Sequence, residues 1–283
     1  MSLPANEIYK IKVGDVYFTV KKSVSMAYSQ SDPVYDYVRI GGEDMCVEYK
    51  CDRRFPDKVE LQWLHTAGRK CVEGDMTIQG ENTRLLFYIS VQVLKLYTPV
   101  RYIDFLDNSH FQCKLPDKSS VKIFLDRYYF ILHGKTWYHD KLGAYPEEED
   151  DQKRYDIFKR NYEDPNMKPS SFDFNNEDLK KLFSPIWDKT HTWKEFIGAI
   201  KTLPNICQKM YPWYLAAIQT MRGKLAFPTD WRIDVRQLNF APIPFERVEK
   251  ITGGRPRMKQ YIYDLSVGSD YPIPSECMTL RYK

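Results

Sequence analysis

The reading turns on the stretch from Asn82 to Ala144. It opens with TRLLFYISVQVLKLY (Thr83 to Tyr97), continues as VRYIDFL (Val100 to Leu106), passes through Asp107-Asn108-Ser109, and closes on HGKTWYHDKLGA (His133 to Ala144). Leu85, Leu86, Ile89, Val93 and Leu96 recur at helical spacing, so the first piece is expected to be a helix with one apolar face. Asn82 stands where an N-cap belongs, and Pro99 ends the run. Val100 to Leu106, rich in β-branched and aromatic residues, is expected to be a strand. From about Ser119, Val121, Phe124, Leu125, Tyr128 and Leu132 share a face, which predicts a second helix running through Trp137 to a glycine cap at Gly143. Lys114 to Lys118 between them reads as a loop.

Upstream, the chain alternates. Ile8 to Val20 reads as a hairpin around Gly14-Asp15, and Val34 to Ile40 with Met45 to Lys50 as a second around Gly41-Gly42. Val59 to Thr66 alternates apolar Val59, Leu61 and Trp63 with Glu60 and Gln62, the pattern of a strand with one face in the core. The first third is therefore expected to be an antiparallel sheet. Downstream, Pro146 and the acidic run Glu147 to Asp151 mark a solvated boundary. YDIFKRNY is a short amphipathic piece, and NNEDLKKLF begins a helix. Thr192 and Glu195 have capping-box spacing before FIGAI, and a further helix is expected from Pro204 to about Met221 with Pro212 kinking it. From Phe227 the sequence turns Pro- and Gly-rich, so any strands there are expected at sheet edges. The predicted organisation is α+β: residues 1–146 as a mixed sheet flanked by helices, 147–226 as a helical segment, and 227–283 as an extended tail that packs on its own or a neighbouring domain.

The totals exclude some classes. Of 283 residues, 43% are hydrophobic and 15% aromatic, ample for a packed core. Lysine and arginine (42) barely exceed the acids (38), so nucleic acid would need a local basic patch. The basic residues of the tail, Arg247, Lys250, Arg255, Arg257 and Lys259, read first as solvated surface. No apolar run is long enough to span a bilayer, and the first residues do not resemble a signal peptide. The six cysteines are accordingly expected to be reduced thiols in a protein that is not secreted. Their spacing, with five scattered histidines, does not suggest structural zinc.

The order strand VELQWL, turn IQGENT, helix, strand VRYIDFL and the segment Trp137 to Ala144 resembles the core of GNAT-type N-acetyltransferases over roughly residues 8 to 146. The resemblance implies a GNAT-like sheet and acetyl-CoA as cofactor. It places Gln79, Gly80, Asn82 and Thr83 at the coenzyme pyrophosphate, where free N–H groups at a helix start hold phosphate. The family's glycine pattern there is incomplete, since no second glycine stands in register, and Glu81 would repel a pyrophosphate. The resemblance makes Tyr138 the acid that protonates the departing thiolate, and Glu60 the base that deprotonates the amine. His65 is a second possible base. Asn108, at a strand end, is a further candidate cofactor contact, with Asp107-Asn108-Ser109 also ordinary turn chemistry. Gly134-Lys135-Thr136 lacks the rest of a P-loop and argues against nucleotide hydrolysis. GKTWYHDKLGA, with the upstream DNS, is also similar to segments of uncharacterised proteins of large nucleocytoplasmic DNA viruses. That similarity implies host cytoplasm or the virion as location, and viral or capsid proteins as partners of the tail. Two functions thus stand open: acetyl transfer from acetyl-CoA to an amine, and a non-catalytic virion structural or assembly role on the same scaffold. A nucleic-acid-associated factor is the third.

Overall fold

The computed structural model describes residues 7–25, 34–66, 69–74, 81–114, 120–167, 177–200, 227–239 and 242–248. Alternating apolar residues in the first third build five consecutive antiparallel strands: β1 (Glu7–Val13), β2 (Val16–Val24), β3 (Tyr35–Gly41), β4 (Met45–Asp52) and β5 (Lys58–Leu64). Helix α1 (Glu81–Leu94) then crosses to β6 (Tyr102–Leu106), which runs parallel to β5. The hairpin β7 (His110–Lys114) and β8 (Ser120–Phe124) follows. After it come α2 (Leu125–His133), α3 (Trp137–Leu142), β9 (Tyr145–Pro146), α4 (Glu149–Glu163), α5 (Glu177–Trp187), α6 (Trp193–Ile200), β10 (Asp230–Asp234) and β11 (Glu246–Val248). The main sheet is mixed and mostly antiparallel, nine-stranded in the order β11-β1-β2-β3-β4-β5-β6-β10-β9, so the fold is α+β. Among the described residues, no helix is long and apolar enough to cross a membrane.

The described residues divide into two compact units. One holds the chain up to Phe105 and from Ile233 on; the other runs from Leu106 to Arg232. In the first, Ile11, Phe18, Val20, Val38, Ile40, Val47 and Tyr49 are wholly buried, as are Leu86, Phe87 and Val91 of α1. Each such side chain contributes about 1.5–3 kcal/mol by leaving water. Tyr49 and Ser90 satisfy each other within that core (2.7 Å). Lys22, also buried, is paired with Asp36 (3.6 Å), which in turn takes two bonds from Arg53 (2.9 Å each). Burial works against the Asp36 charge, but these cations outweigh it and hold its carboxyl below the usual range.

Several expectations are corrected here. Cys46 and Cys71 form a disulfide, whereas the sequence suggested reduced thiols. The bond joins β4 to residues 69–74. That segment is pinned further by two backbone bonds between Tyr17 and Glu73 (3.1 and 2.9 Å) and by Lys10 on Glu73 (2.5 Å). At Gly42 a Cβ would fall 2.6 Å from the backbone of Val72, so only glycine admits this approach. Asn82 is not the cap of α1, because helix already includes Glu81, and the expected apolar stripe ends before Leu96, which is exposed. β10 contains no proline and lies inside the sheet, between β6 and β9, not at an edge. The expected helix from Pro204 lies outside the described residues.

The second unit departs most from expectation. The helix expected from Ser119 begins only at Leu125, because residues 120–124 pair with β7. It then breaks. Gly134 takes a left-handed conformation (φ 71°) and caps α2 with its N–H on Phe130 O (2.7 Å). Thr136 starts α3 by accepting from His139 N–H (3.3 Å), and Gly143 (φ 65°) ends it. The acidic run is not a boundary: Glu149, Asp150 and Asp151 form the first turn of α4, where the helix dipole favours them. Phe130, Tyr155, Phe158, Tyr162, Phe227 and Trp231 build one aromatic core, with Phe158 and Phe227 stacked at 5.5 Å. Phe183, Trp187, Trp193 and Phe196 build another. Of the expected capping box before α6, the forward half is present, Thr192 Oγ1 accepting from Glu195 N–H (3.2 Å), while the Glu195 carboxylate takes the N–H of His191, one residue before the cap (2.6 Å).

Candidate functional site

The most suggestive geometry in the first unit is a fork. Strands β5 and β6 share only three register pairs, Lys58↔Tyr102, Val59↔Ile103 and Glu60↔Asp104. β5 then runs on to Leu64 and β6 to Leu106 with no further pairing between them. On its other side β5 stays joined to β4 as far as Val47↔Leu64. That ladder is irregular. Tyr49 faces Leu61 and Glu48 faces Trp63, so Gln62 is an extra residue, a β-bulge beside the point where the strands part. A bulge frees backbone polar groups from the ladder and re-aims them.

Glu60 stands at the crotch of this fork. Its side chain is 53% exposed and accepts from Lys50 Nζ (3.2 Å), whose ammonium also lies 4.5 Å from the Tyr35 ring centre. Burial works against the Lys50 charge, but Glu60 outweighs it and raises the ammonium above its ordinary value. Beside them lies an open groove of about 350 Å³, lined by Tyr35, Lys50, Phe55, Glu60 and Asp104 among others. Asp104 was not singled out from the sequence, since the parallel pairing that sets it beside Glu60 leaves no local signal.

The start of α1 lies by the C-terminal end of β5, the end toward which the strands part. Thr83 Oγ1 bonds Thr66 Oγ1 (3.0 Å), two residues beyond the strand. Asn82 sits in the same helical turn, and Gln79 and Gly80 lie outside the described residues. Arg84 in this turn donates to Tyr88 Oη (2.6 Å). The sequence reading passed over it, though a cation in the first turn was visible there. His65 follows β5 directly and accepts from Arg69 Nε at its Nδ1 (3.1 Å). Burial, then the Arg69 charge, lowers its pKa, so the imidazole is neutral near pH 7, the form a base requires.

Tyr138 and Asn108 belong to the second unit. Tyr138 is half-buried in the first turn of α3, its ring edge-on to Trp137 at 5.0 Å. Asn108 is exposed, and its carbonyl meets His110 Nδ1 (3.1 Å). Asp107 Oδ1 accepts from Ser109 N–H (3.1 Å), so this strand end is an Asx turn. The distinctive Gly134 to Asp140 segment is occupied by its own architecture. Lys135 pairs with Asp140 (2.5 Å), Tyr129 Oη donates to Asp140 (2.8 Å), and Thr136 N–H donates to Tyr155 Oη (2.8 Å). Among the described residues, Glu60, Asn82 and Thr83 thus share the first unit, while Tyr138 and Asn108 share the second. Compared with protein-family models, with curated proteins and with solved structures, the chain matches none.

Proposed function

We propose that this chain transfers an acetyl group from acetyl-CoA to an amine, with the fork between β5 and β6 receiving the pantetheine arm. The observation that carries the reading is the loss of pairing beyond Glu60 and Asp104 while β5 stays joined to β4. An opening between parallel strands, at the end of β5 where a helix begins, is what the GNAT-like pattern requires. In the proposed step Glu60 takes a proton from the acceptor ammonium, and the free amine attacks the thioester carbonyl carbon. A backbone N–H freed at the Gln62 bulge would stabilise the oxyanion. The C–S bond then breaks, the coenzyme A thiolate leaves and takes a proton from water, and the new amide nitrogen gives its remaining extra proton to solvent; the acid's role that the resemblance gives Tyr138 falls on a residue of the second unit.

Calorimetry with acetyl-CoA and coenzyme A at millimolar concentration, paired with thiol release in the presence of primary amines, tests this. Glu60→Gln is expected to keep coenzyme binding and to lose about 100-fold in kcat. Absence of both binding heat and any melting shift would sink the proposal. Full activity in Tyr138→Phe would remove that residue's role alone.

A second reading, a non-catalytic virion or assembly protein, is favoured by one observation. Lys135, Thr136 and Asp140 of the Gly134 to Asp140 segment make intramolecular bonds, as a scaffold requires. Mass spectrometry of purified particles separates the two: many copies per particle favour structure, and absence favours the enzyme.

A further inference from the structure

Within the second unit, one backbone bond ties the head of α2 to the loop after β6: Leu125 N–H donates to Ser109 O (2.9 Å). A carboxylate flanks that bond on each side. Asp107 lies two residues before Ser109, and Asp126 directly follows Leu125. Both are buried, 6% and 3% exposed. Their hydrogen bonds are local. Asp107 Oδ1 takes the Ser109 N–H (3.1 Å) and hydroxyl, and Asp126 Oδ1 takes the Arg127 N–H (2.6 Å). Among the described residues neither forms an ion pair with Lys, Arg or His, unlike half-buried Asp36, which has Arg53 and Lys22, or buried Asp234, which has Arg236. Asp126 feels the charge of Asp107 and that of Arg127, whose guanidinium lies over the Phe124 ring (4.7 Å). On neighbouring elements, His110 of β7 turns Nδ1 to Asn108 O, Lys122 of β8 is exposed, and Asp230 of β10 is held by the Thr229 hydroxyl (2.9 Å).

We propose that Asp107 and Asp126 retain one proton between them and act as a pH-sensitive latch, closing the joint between residues 107–109 and α2 in acid and loosening it above neutrality. Two buried carboxylates without a cation between them cannot both ionise at little cost, so the fold retains a proton. Burial raises both groups above the carboxylate range, and the Asp107 charge lifts Asp126 further, to about 7. A folded pKa above the unfolded one means that the stabilisation is full in acid and is lost as pH climbs from about 4 through about 7. Deprotonation leaves two buried anions on the segments that the Leu125–Ser109 bond ties together, and that bond is where the opening occurs.

Hydrogen exchange of the full chain, corrected for intrinsic rates, tests this at about pH 6 and about pH 8.5. Peptides covering 106–110 and 124–133 are expected to lose roughly tenfold in protection at the higher pH, while the β3–β4 hairpin does not change. Asp126→Asn, which keeps the acceptor and removes the charge, should abolish the response. Asp107→Asn, which also preserves the Ser109 turn, should do the same and serves if the first variant folds poorly. A wild type with equal protection at both pH values, or a response that survives both substitutions, overturns the latch.

Discussion

Gly134 and Gly143 form a controlled pair for testing how the second unit holds its short motif together. Both have positive φ, 71° and 65°, and both cap a helix of that unit. An alanine in that conformation costs about 1 kcal/mol through its own Cβ. At Gly143 nothing lies within 4 Å of the added carbon, so the conformational cost is the whole effect. At Gly134 the added carbon would meet the Tyr162 ring at 2.6 and 2.9 Å. That ring cannot swing aside easily, since Tyr162 is 1% exposed and packs edge-on against Phe130 at 5.9 Å. Overpacking of a core site costs about 1–3 kcal/mol more. Gly143→Ala should therefore lose about 1 kcal/mol and Gly134→Ala about 3 kcal/mol. Urea denaturation followed by near-ultraviolet circular dichroism reads this difference, because the aromatic core supplies the signal. Equal losses for the two variants would refute the claim that Gly134 is fixed by contact with Tyr162.

Two further outcomes follow from the same packing. The Cys46–Cys71 disulfide closes a separation of 25 residues, so reduction or a Cys46→Ala/Cys71→Ala double variant should cost the first unit about 3 kcal/mol; identical melting with and without reductant would count against it. Thr136→Ala removes a buried cap and should lose about 1–2 kcal/mol in thermal or urea melting, with Thr136→Ser retaining more than half of that.

The sequence made the meander readable because period-two alternation survives on any sheet with one face buried. Tyr9 to Ile11 and Val59 to Leu61 behave as that pattern demands, whereas the Gln62 bulge breaks the alternation and leaves Trp63, expected on the core face, 42% exposed. The Thr192 bond to Glu195 N–H and the Gly143 cap were readable for a similar reason: each acts within a few residues. What stayed hidden depends on distant partners. Val121, Phe124 and Leu125 fit a helical face, but a short apolar run fits a strand equally well, and only β7 decides the matter. The acids at 149–151 read as a solvated break because their stabilising partner is a helix dipole that does not exist until the helix forms. The disulfide was missed because compartment arguments say nothing about two cysteines that the fold brings to the same place. Asp126 was missed because its chemistry comes from burial and from the charge of Asp107, 19 positions earlier, brought near only when Leu125 bonds Ser109.

This contrast bears on how the two functional readings should be weighed. The Gly134 to Asp140 segment drew attention because glycine, lysine, threonine and aromatics stand in an unusual order. Yet its geometry accounts for that order without chemistry. Glycine reverses the chain against a ring, threonine starts the next helix, and lysine neutralises the aspartate that Tyr129 also holds. An unusual motif is therefore weak support for catalysis when its lysine, threonine and aspartate already have intramolecular partners. The fork has the opposite character. Nothing in its sequence is unusual, but Gln62 and the unpaired lengths of β5 and β6 leave backbone hydrogen-bonding capacity unused by the sheet. Capacity left open in a sheet must be met by solvent or by a ligand, so the case for acetyl transfer rests on what enters that opening.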